Sequence, residues 1–173
     1  MLMEPKKPIS RLLLVVSIFV LFLGLASAAK SSALAVGSSA PDLSFKKLNG
    51  APFDLSSLRG KPVLLSFYTT WSESCLENLK FLSSLNKSLK GVEIVTVAFE
   101  NKSSTVTSFL KKHNLDLLTL LDVKKTSISN YQILIIPMTF LIDSNGTIDK
   151  IYVDFDDSVK ESMKSDIKLL LSN

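Results

Sequence analysis

Residues 60–89, GKPVLLSFYTTWSESCLENLKFLSSLNKSL, combine a short apolar strand with an amphipathic helix. The strand is predicted at Val63–Tyr68, because this β-prone run follows Gly-Lys-Pro and has the composition of a strand buried on both faces. Leucines then recur at intervals of three and four residues, which is the spacing of a helix with one apolar face, and the helix is predicted to end at Gly91. A buried strand followed by a helix is typical of an α/β fold.

Strands and helices continue to alternate towards the C-terminus. The pattern predicts strands at 94–99, 117–121, 138–142 and 148–153, and helices that begin near Ser103, Thr126 and Asp156. Asn145-Gly146 between two apolar runs predicts a hairpin, and Asn49-Gly50 predicts another before the first core strand. The sequence therefore predicts an α/β fold with a central mixed β-sheet flanked by helices and an extra N-terminal β-hairpin.

The composition excludes several classes of protein. The chain has 173 residues, of which 46% are hydrophobic and 21% charged, so it can build a core and is not intrinsically disordered. One cysteine and one histidine exclude an internal disulfide framework, a Cys-rich zinc site and a multi-His metal site. We therefore expect no metal and no cofactor.

The N-terminal residues have the features of an export signal. Basic residues precede an apolar run and small residues follow it: Lys6, Lys7 and Arg11, then 12–25, then 26–29. We predict a signal peptide over residues 1–28, a linker over 29–39 and one folded domain over 40–173. The alternative is an uncleaved N-terminal anchor, and only then is the membrane a partner. In both cases the domain is expected to be exported, to the periplasm or the extracytoplasmic face of the membrane.

The net charge gives no sign of a nucleic-acid partner. The chain carries a formal charge of +4 at pH 7. Residues 1–28 hold three basic groups and one acidic group, so the remaining chain has a net charge of +2. Such a small excess does not indicate a surface that binds polyanions, and we predict no nucleic-acid partner.

Several short segments follow one another between residue 37 and the C-terminus: Ala40-Pro41-Asp42, Leu58–Phe67, Trp71, Cys75, Gly91-Val92-Glu93 and Ile136–Asp143. In order and spacing they resemble the exported thioredoxin-like proteins of the TlpA/ResA type, within the AhpC/TSA and redoxin superfamily. The resemblance covers essentially the whole chain after the predicted signal peptide. It implies a thioredoxin-like fold.

Members of this family carry Trp-Cys-x-x-Cys at the start of the first core helix, and the matching segment here is Trp71-Ser72-Glu73-Ser74-Cys75. In the family the first thiol attacks from the exposed helix N-terminus, and the second resolves the mixed disulfide. The resemblance therefore puts Ser72 at the attacking position and Cys75 at the resolving position. A serine hydroxyl cannot exchange with a disulfide, and a single cysteine cannot form an internal one. The buried acid of many thioredoxins corresponds to Ser66.

The family also has a cis-proline that faces the motif, and Pro137 matches it. In the family, the backbone of the residue before this proline pairs with an extended peptide by strand addition. The resemblance therefore implies a substrate groove formed by five residues: Trp71, Glu73, Ser74, Ile136 and Pro137. The expected partner is an extended peptide or a protein client.

Two functional interpretations follow. The first is a redox-impaired family member that acts as a peptide-binding or protein-binding module in envelope thiol-disulfide or cytochrome-maturation chemistry. The alternative is a one-cysteine thiol enzyme that uses Cys75, either as a peroxidase or through a mixed disulfide with a partner. Ser72-x-x-Cys75 resembles the Thr/Ser-x-x-Cys of peroxiredoxins, but those enzymes have a proline where Tyr68 stands here.

The residues themselves leave several roles open. Cys75 is either a buried small hydrophobe or a reactive thiol. Ser72 has the properties of an ordinary helix N-cap, and Trp71 is either a core residue or a wall of the groove. Helix capping explains three acidic residues better than a cation site does: Asp154, Asp156 and Asp157.

Overall fold

The computed structural model describes residues 34–172, and these residues contain one seven-stranded sheet with helices packed against it. The predicted signal peptide over residues 1–28 lies outside the described residues, as does the first part of the predicted linker. No helix between residues 34 and 172 is both long and apolar enough to cross a membrane.

Strands and helices alternate along the described residues. The strands are β1 (Ser44–Lys47), β2 (Pro52–Asp54), β3 (Val63–Tyr68), β4 (Glu93–Ala98), β5 (Leu118–Leu121), β6 (Met138–Ile142) and β7 (Ile148–Val153). The helices are α1 (Glu73–Ser88), α2 (Ser103–Lys112), α3 (Thr126–Asn130) and α4 (Asp157–Ser172), with a 3-10 turn at Leu55–Leu58. Every predicted element is present; several match the predicted bounds, and the other ends differ by at most three residues.

The sheet is mixed, as predicted, and its strand order is β2-β1-β5-β4-β3-β6-β7. Strand β4 runs parallel to both β3 and β5, and helices α1 and α2 make the two crossover connections. The other neighbouring strands are antiparallel, including the two predicted hairpins β1–β2 and β6–β7. The tight turns of these hairpins contain Gly50 and Gly146, each with a positive φ.

Strand β3 carries apolar side chains on both of its faces, and both faces of the sheet are covered by other parts of the chain. On one face, the buried Phe67 ring contacts three other rings, with centroid separations of 5.8 Å to Phe99, 4.9 Å to Tyr131 and 5.9 Å to Phe140. On the other face, α1 and α4 cover the sheet with buried side chains that include Leu79, Leu82, Met163 and Ile167. The predicted burial of β3 on both faces is confirmed.

The chain before β1 is hydrogen-bonded to the outer edge of β7. Gly37 N–H donates to Ile148 O at 2.8 Å, and Ile148 N–H donates to Ser38 O at 2.9 Å. Ala40 N–H donates to Gly146 O at 2.9 Å. The hydrogen-bonded part of the chain therefore begins at or before residue 37, within the segment predicted as a linker.

The turn between β6 and β7 accepts a hydrogen bond from an arginine in the loop before β3. Arg59 Nη1 donates to Asn145 O at 2.8 Å, and its guanidinium occupies the space beside Gly146. A Cβ at Gly146 would lie 0.6 Å from that nitrogen. Gly146 also has a φ of +82°, a backbone angle that residues with a side chain rarely adopt. The positive φ therefore favours glycine at this position, and a side chain there would also displace the Arg59 guanidinium from its hydrogen bond with Asn145.

We expect Gly146→Ala to lower the free energy of unfolding by about 2–4 kcal/mol, because it strains the backbone and displaces Arg59. Gly50→Ala is the matched control, since Gly50 has a φ of +86° but open space around it. It should lose only about 1–2 kcal/mol from the backbone alone. Urea denaturation measures both values, and equal losses would contradict the role given to Arg59.

Candidate functional site

Helix α1 begins at a serine cap. Ser72 has extended backbone angles, and its Oγ accepts a hydrogen bond from Cys75 N–H at 3.3 Å. This contact satisfies one of the free N–H groups at the start of the helix, and Glu73 in the first turn complements the helix dipole. The predicted N-cap role of Ser72 is confirmed, and its hydroxyl lies directly beside the first turn of α1.

Cys75 lies one turn into α1 and is fully buried, with 0% of its surface exposed. Burial raises the pKa of its thiol, and the Asp154 carboxylate adds to the increase. Hydrogen bonds with Ser72 and with the backbone of Thr69 lower the pKa of the thiol, but by less than burial raises it. The side chain is therefore a neutral, inaccessible thiol near neutral pH, which agrees with the first of its two interpretations.

We expect iodoacetamide to alkylate Cys75 in the native protein at pH 7 at least 100-fold more slowly than in the urea-unfolded chain. The thiolate is the reactive form, and both burial and the raised pKa reduce its availability. Because the pKa is raised, the native rate should still be increasing with pH above about 8.5, the usual cysteine value. A native rate at pH 7 that equals the unfolded rate would contradict this account.

Trp71 is a surface residue, because 77% of its surface is exposed. It lines a cleft of about 260 Å³ together with side chains from the segment before β6. We call this the motif cleft, and its other apolar lining residues are Phe99, Ile128, Ile133, Leu134, Ile135 and Ile136. Of the two interpretations of Trp71, the wall of a groove agrees with this position and the core does not.

The motif cleft has an unusually apolar rim for a solvent-exposed surface. Leu134 is 90% exposed, and Ile128 and Ile135 are also exposed. Contiguous exposed apolar side chains of this size usually mark an interaction surface. Sequence analysis missed these three residues, although the run Ile133–Ile136 directly before Pro137 is a visible signal.

The five residues predicted to form the groove are only partly brought together in one cleft. Trp71 and Ile136 line the motif cleft, whereas Glu73, Ser74 and Pro137 do not. The peptide bond between Ile136 and Pro137 is cis. Strand β6 begins after it, at Met138.

An acidic residue connects the motif helix to the proline segment. Asp154 Oδ1 accepts hydrogen bonds from Ser74 Oγ at 2.6 Å and from Phe155 N–H at 2.8 Å. These hydrogen bonds, the one from Ser74 foremost, lower the pKa of the Asp154 carboxyl. Asp154 N–H in turn donates to Pro137 O at 2.9 Å. The residue thus joins the first turn of α1 to the segment that contains Pro137, a role that sequence analysis missed.

Only one of the three acidic residues near α4 acts through its side chain as the expected cap. Asp156 Oδ1 accepts from Val159 N–H at 2.8 Å. Asp157 is the first residue of α4, where its charge complements the helix dipole. Asp154 points its carboxylate towards Ser74 instead, so the capping prediction is wrong for this residue.

A small polar cluster lies in the interior beneath the motif. Ser66 Oγ is 2.9 Å from Thr139 Oγ1, and Asn78 Nδ2 donates to Ser66 Oγ at 2.9 Å. All three side chains are buried, and Asn78 Oδ1 has no hydrogen-bond partner among the described residues. The cluster is made of neutral groups, so it offers no carboxylate that could accept a proton from Cys75.

Comparison with known proteins identifies the family. Residues 36–151 match the model of the AhpC/TSA family. The chain is 31% identical over 145 residues to the thiol-disulfide oxidoreductase ResA of Bacillus subtilis (strain 168), covering 83% of this chain and 79% of ResA. It is 32% identical over 121 residues to the thioredoxin-like protein YneN of the same organism, covering 68% of this chain and 71% of YneN.

Solved structures agree with these relatives. The chain superposes on StoA of Bacillus subtilis with a TM-score of 0.62 at 25% identity, covering 74% of this chain and 97% of StoA. A secreted disulfide oxidoreductase of Mycobacterium tuberculosis gives a TM-score of 0.65 at 25% identity, covering 74% and 96% of the two chains. The sheet, the motif helix and the matched relatives lead to one conclusion: the chain has a thioredoxin-like fold and belongs to the AhpC/TSA family, as a member of the TlpA/ResA type.

Proposed function

We propose that this chain is a redox-impaired member of the ResA-type thiol-disulfide oxidoreductase family that binds extended apolar polypeptide segments at the motif cleft. The observation that carries the proposal is the pairing of a serine cap at the start of α1 with a fully buried Cys75. In the family motif that the sequence resembles, two thiols occupy these positions. Here the position that meets a client carries a hydroxyl group.

The chemistry of the motif supports binding without turnover. An exchange cycle needs an attacking thiolate and a second thiol that releases the client by closing an internal disulfide. The chain has a single cysteine, so the closing step has no second sulfur. Cys75 is also buried with a raised pKa, which weighs against a one-cysteine peroxidase, because such an enzyme needs an accessible thiolate.

The geometry of the motif cleft supports recognition of an extended chain. Within residues 34–172, the main chains of Ile135 and Ile136 form no backbone hydrogen bonds, and β6 pairs with β3 only from Met138 onwards. A client strand can therefore pair with this segment by strand addition. Its apolar side chains would contact Trp71 and Leu134, which removes exposed apolar surface on both partners from water.

The proposal includes an extracytoplasmic location. The predicted signal peptide supports export, and one matched relative is described as secreted. A client in that compartment would be a polypeptide of the cell envelope, in a thiol-disulfide or cytochrome-maturation context.

The binding test uses an unfolded polypeptide with blocked thiols, reduced and carboxymethylated α-lactalbumin. The blocked thiols of the client prevent a covalent complex. Trp71 is the only tryptophan of this chain, so binding to the isotope-labelled chain can be followed by its indole N–H resonance, together with amide resonances around the motif cleft. We expect saturable binding that Leu134→Lys and Ile135→Lys each weaken at least tenfold. Leu169→Lys, on the exposed face of α4, is the matched control and should have no effect.

A separate assay tests the loss of redox activity. Insulin reduction by dithiothreitol should proceed at the same rate with and without this chain. Turnover comparable to that of a two-cysteine family member would refute the redox-impaired part of the proposal. Unchanged affinity in both lysine variants would refute the binding part.

A further inference from the structure

A second cavity lies at the β1–β2 end of the sheet, away from the motif. It has a volume of about 590 Å³ and is bounded by the β1–β2 hairpin, the start of α2 and the loop between β5 and α3. We call it the hairpin cavity. It shares no lining residue with the motif cleft, and its volume falls in the range typical of small-molecule sites.

The lining of the hairpin cavity is largely apolar. Its apolar lining residues are Phe45, Leu48, Phe53, Leu121 and Val123. The side chains of Leu48 and Leu121 pack on one face of the sheet, and those of Phe45 and Phe53 pack on the other. Val123 is 50% exposed, and Phe45, Leu48 and Leu121 are half-buried, so the protein itself leaves part of this surface uncovered. This uncovered apolar surface lies beside the hairpin, where β1 and β2 extend the sheet beyond β5.

The polar groups around the cavity leave an excess of positive charge. Lys46, Lys47 and Lys124 line it, and none of the ion pairs found within residues 34–172 involves them. Three lysines against two carboxylates give the lining a formal excess of one positive charge, and both carboxylates accept hydrogen bonds from neutral groups of the protein. Asp54 accepts from Ser44 Oγ, and the buried Asp122 accepts from Ser127 N–H at 2.8 Å and Ser127 Oγ at 2.6 Å.

The lysines are placed so that one anionic group can lie beside apolar surface. Lys46 is the register partner of Leu121 on β5 and of Pro52 on β2, so these three side chains share one face of the sheet. Lys47 points to the opposite face, where its ammonium lies 5.5 Å from the centre of the Phe53 ring, so it is not part of this arrangement. On the Lys46 face, a cationic group therefore lies next to apolar surface from β5 and from the loop that follows it.

We propose that the hairpin cavity binds a small amphiphile with one carboxylate head group and an apolar tail, of the size of a medium-chain fatty acid. The carboxylate would pair with Lys46 and Lys124, whose charge has no protein partner in the described part of the chain. The tail would cover Leu48, Leu121 and Val123. This site is independent of the motif cleft and of the function proposed for it.

Titration of the isotope-labelled full chain with decanoate, below its micelle concentration, tests the proposal by amide chemical shifts. We expect one saturable site with shifts concentrated at residues 44–54 and 121–126. Lys46→Glu and Lys124→Glu should each weaken binding at least tenfold, and the exposed Lys168→Glu on α4 is the matched control that should not. Decyltrimethylammonium, with the same tail and the opposite charge, should not saturate this site.

Three outcomes would overturn the proposal. The first is the absence of saturable shifts around the hairpin cavity. The second is an affinity for decanoate in the Lys46 and Lys124 variants that equals the affinity of the unchanged protein. Both variants alter exposed side chains and should fold normally. The third is equal binding of decanoate and decyltrimethylammonium, because it would mean that apolar contact alone drives association.

Discussion

Ser72→Cys is expected to give this chain thiol-disulfide exchange activity at least 100-fold above that of the unchanged protein. The new thiol would stand at the N-cap of α1, where free N–H groups and the helix dipole favour the thiolate. The Ser72 hydroxyl already contacts Cys75 N–H at 3.3 Å, so a sulfur at this position lies within reach of Cys75. Insulin reduction measures the activity, and thiol counting after mild oxidation measures the new disulfide.

The double variant Ser72→Cys, Cys75→Ala is the control for this prediction. It keeps the attacking thiol but lacks the second sulfur, so it should accumulate mixed disulfides without turnover. If both thiols of the single variant stay free under oxidants that close the disulfide of ordinary family members, the assignment of Ser72 to the attacking position is wrong.

Phe67→Ala is expected to lower the free energy of unfolding by about 3–5 kcal/mol, which is the usual cost of removing a large buried aromatic ring. The Phe67 ring is fully buried and contacts the rings of Phe99, Tyr131 and Phe140, so no neighbour can fill the space without moving the others. Domains of this size have about 5–15 kcal/mol of stability in total. Urea denaturation should therefore show a large fall in the midpoint.

Trp71→Ala is the matched control for Phe67→Ala, because it also removes a large ring near the motif. Because 77% of its surface is exposed, Trp71 should contribute less than about 0.5 kcal/mol to stability. Its removal should instead weaken client binding. A loss of stability as large as that of Phe67→Ala would mean that Trp71 packs into the core in solution.

The fold was accessible from the sequence because local patterns specify its elements directly. The apolar run at Val63–Tyr68 and the leucine spacing after it predict β3 and α1, and Asn145-Gly146 predicts the β6–β7 turn. Ser72 was predictable as a cap for the same reason, since capping depends on residues three positions apart. These features depend on neighbours in the chain.

The candidate site was less accessible because its properties depend on contacts between distant segments. Trp71 forms the motif cleft together with the segment before β6, which lies more than sixty residues later in the chain. The carboxylate of Asp154 contacts Ser74, eighty positions away, and no local pattern distinguishes it from a capping residue. The hairpin cavity likewise arises from how far β1 and β2 extend past β5, which the hairpin signal alone does not specify.

The link through Asp154 has a consequence for selectivity. Because Ser74, Asp154 and Pro137 are joined by hydrogen bonds, the start of the motif helix and the segment that leads into β6 are held at a fixed separation. A preorganised recognition surface loses little conformational entropy on association, and it also has little capacity to adapt. We therefore expect this protein to discriminate sharply between clients of similar hydrophobicity but different shape.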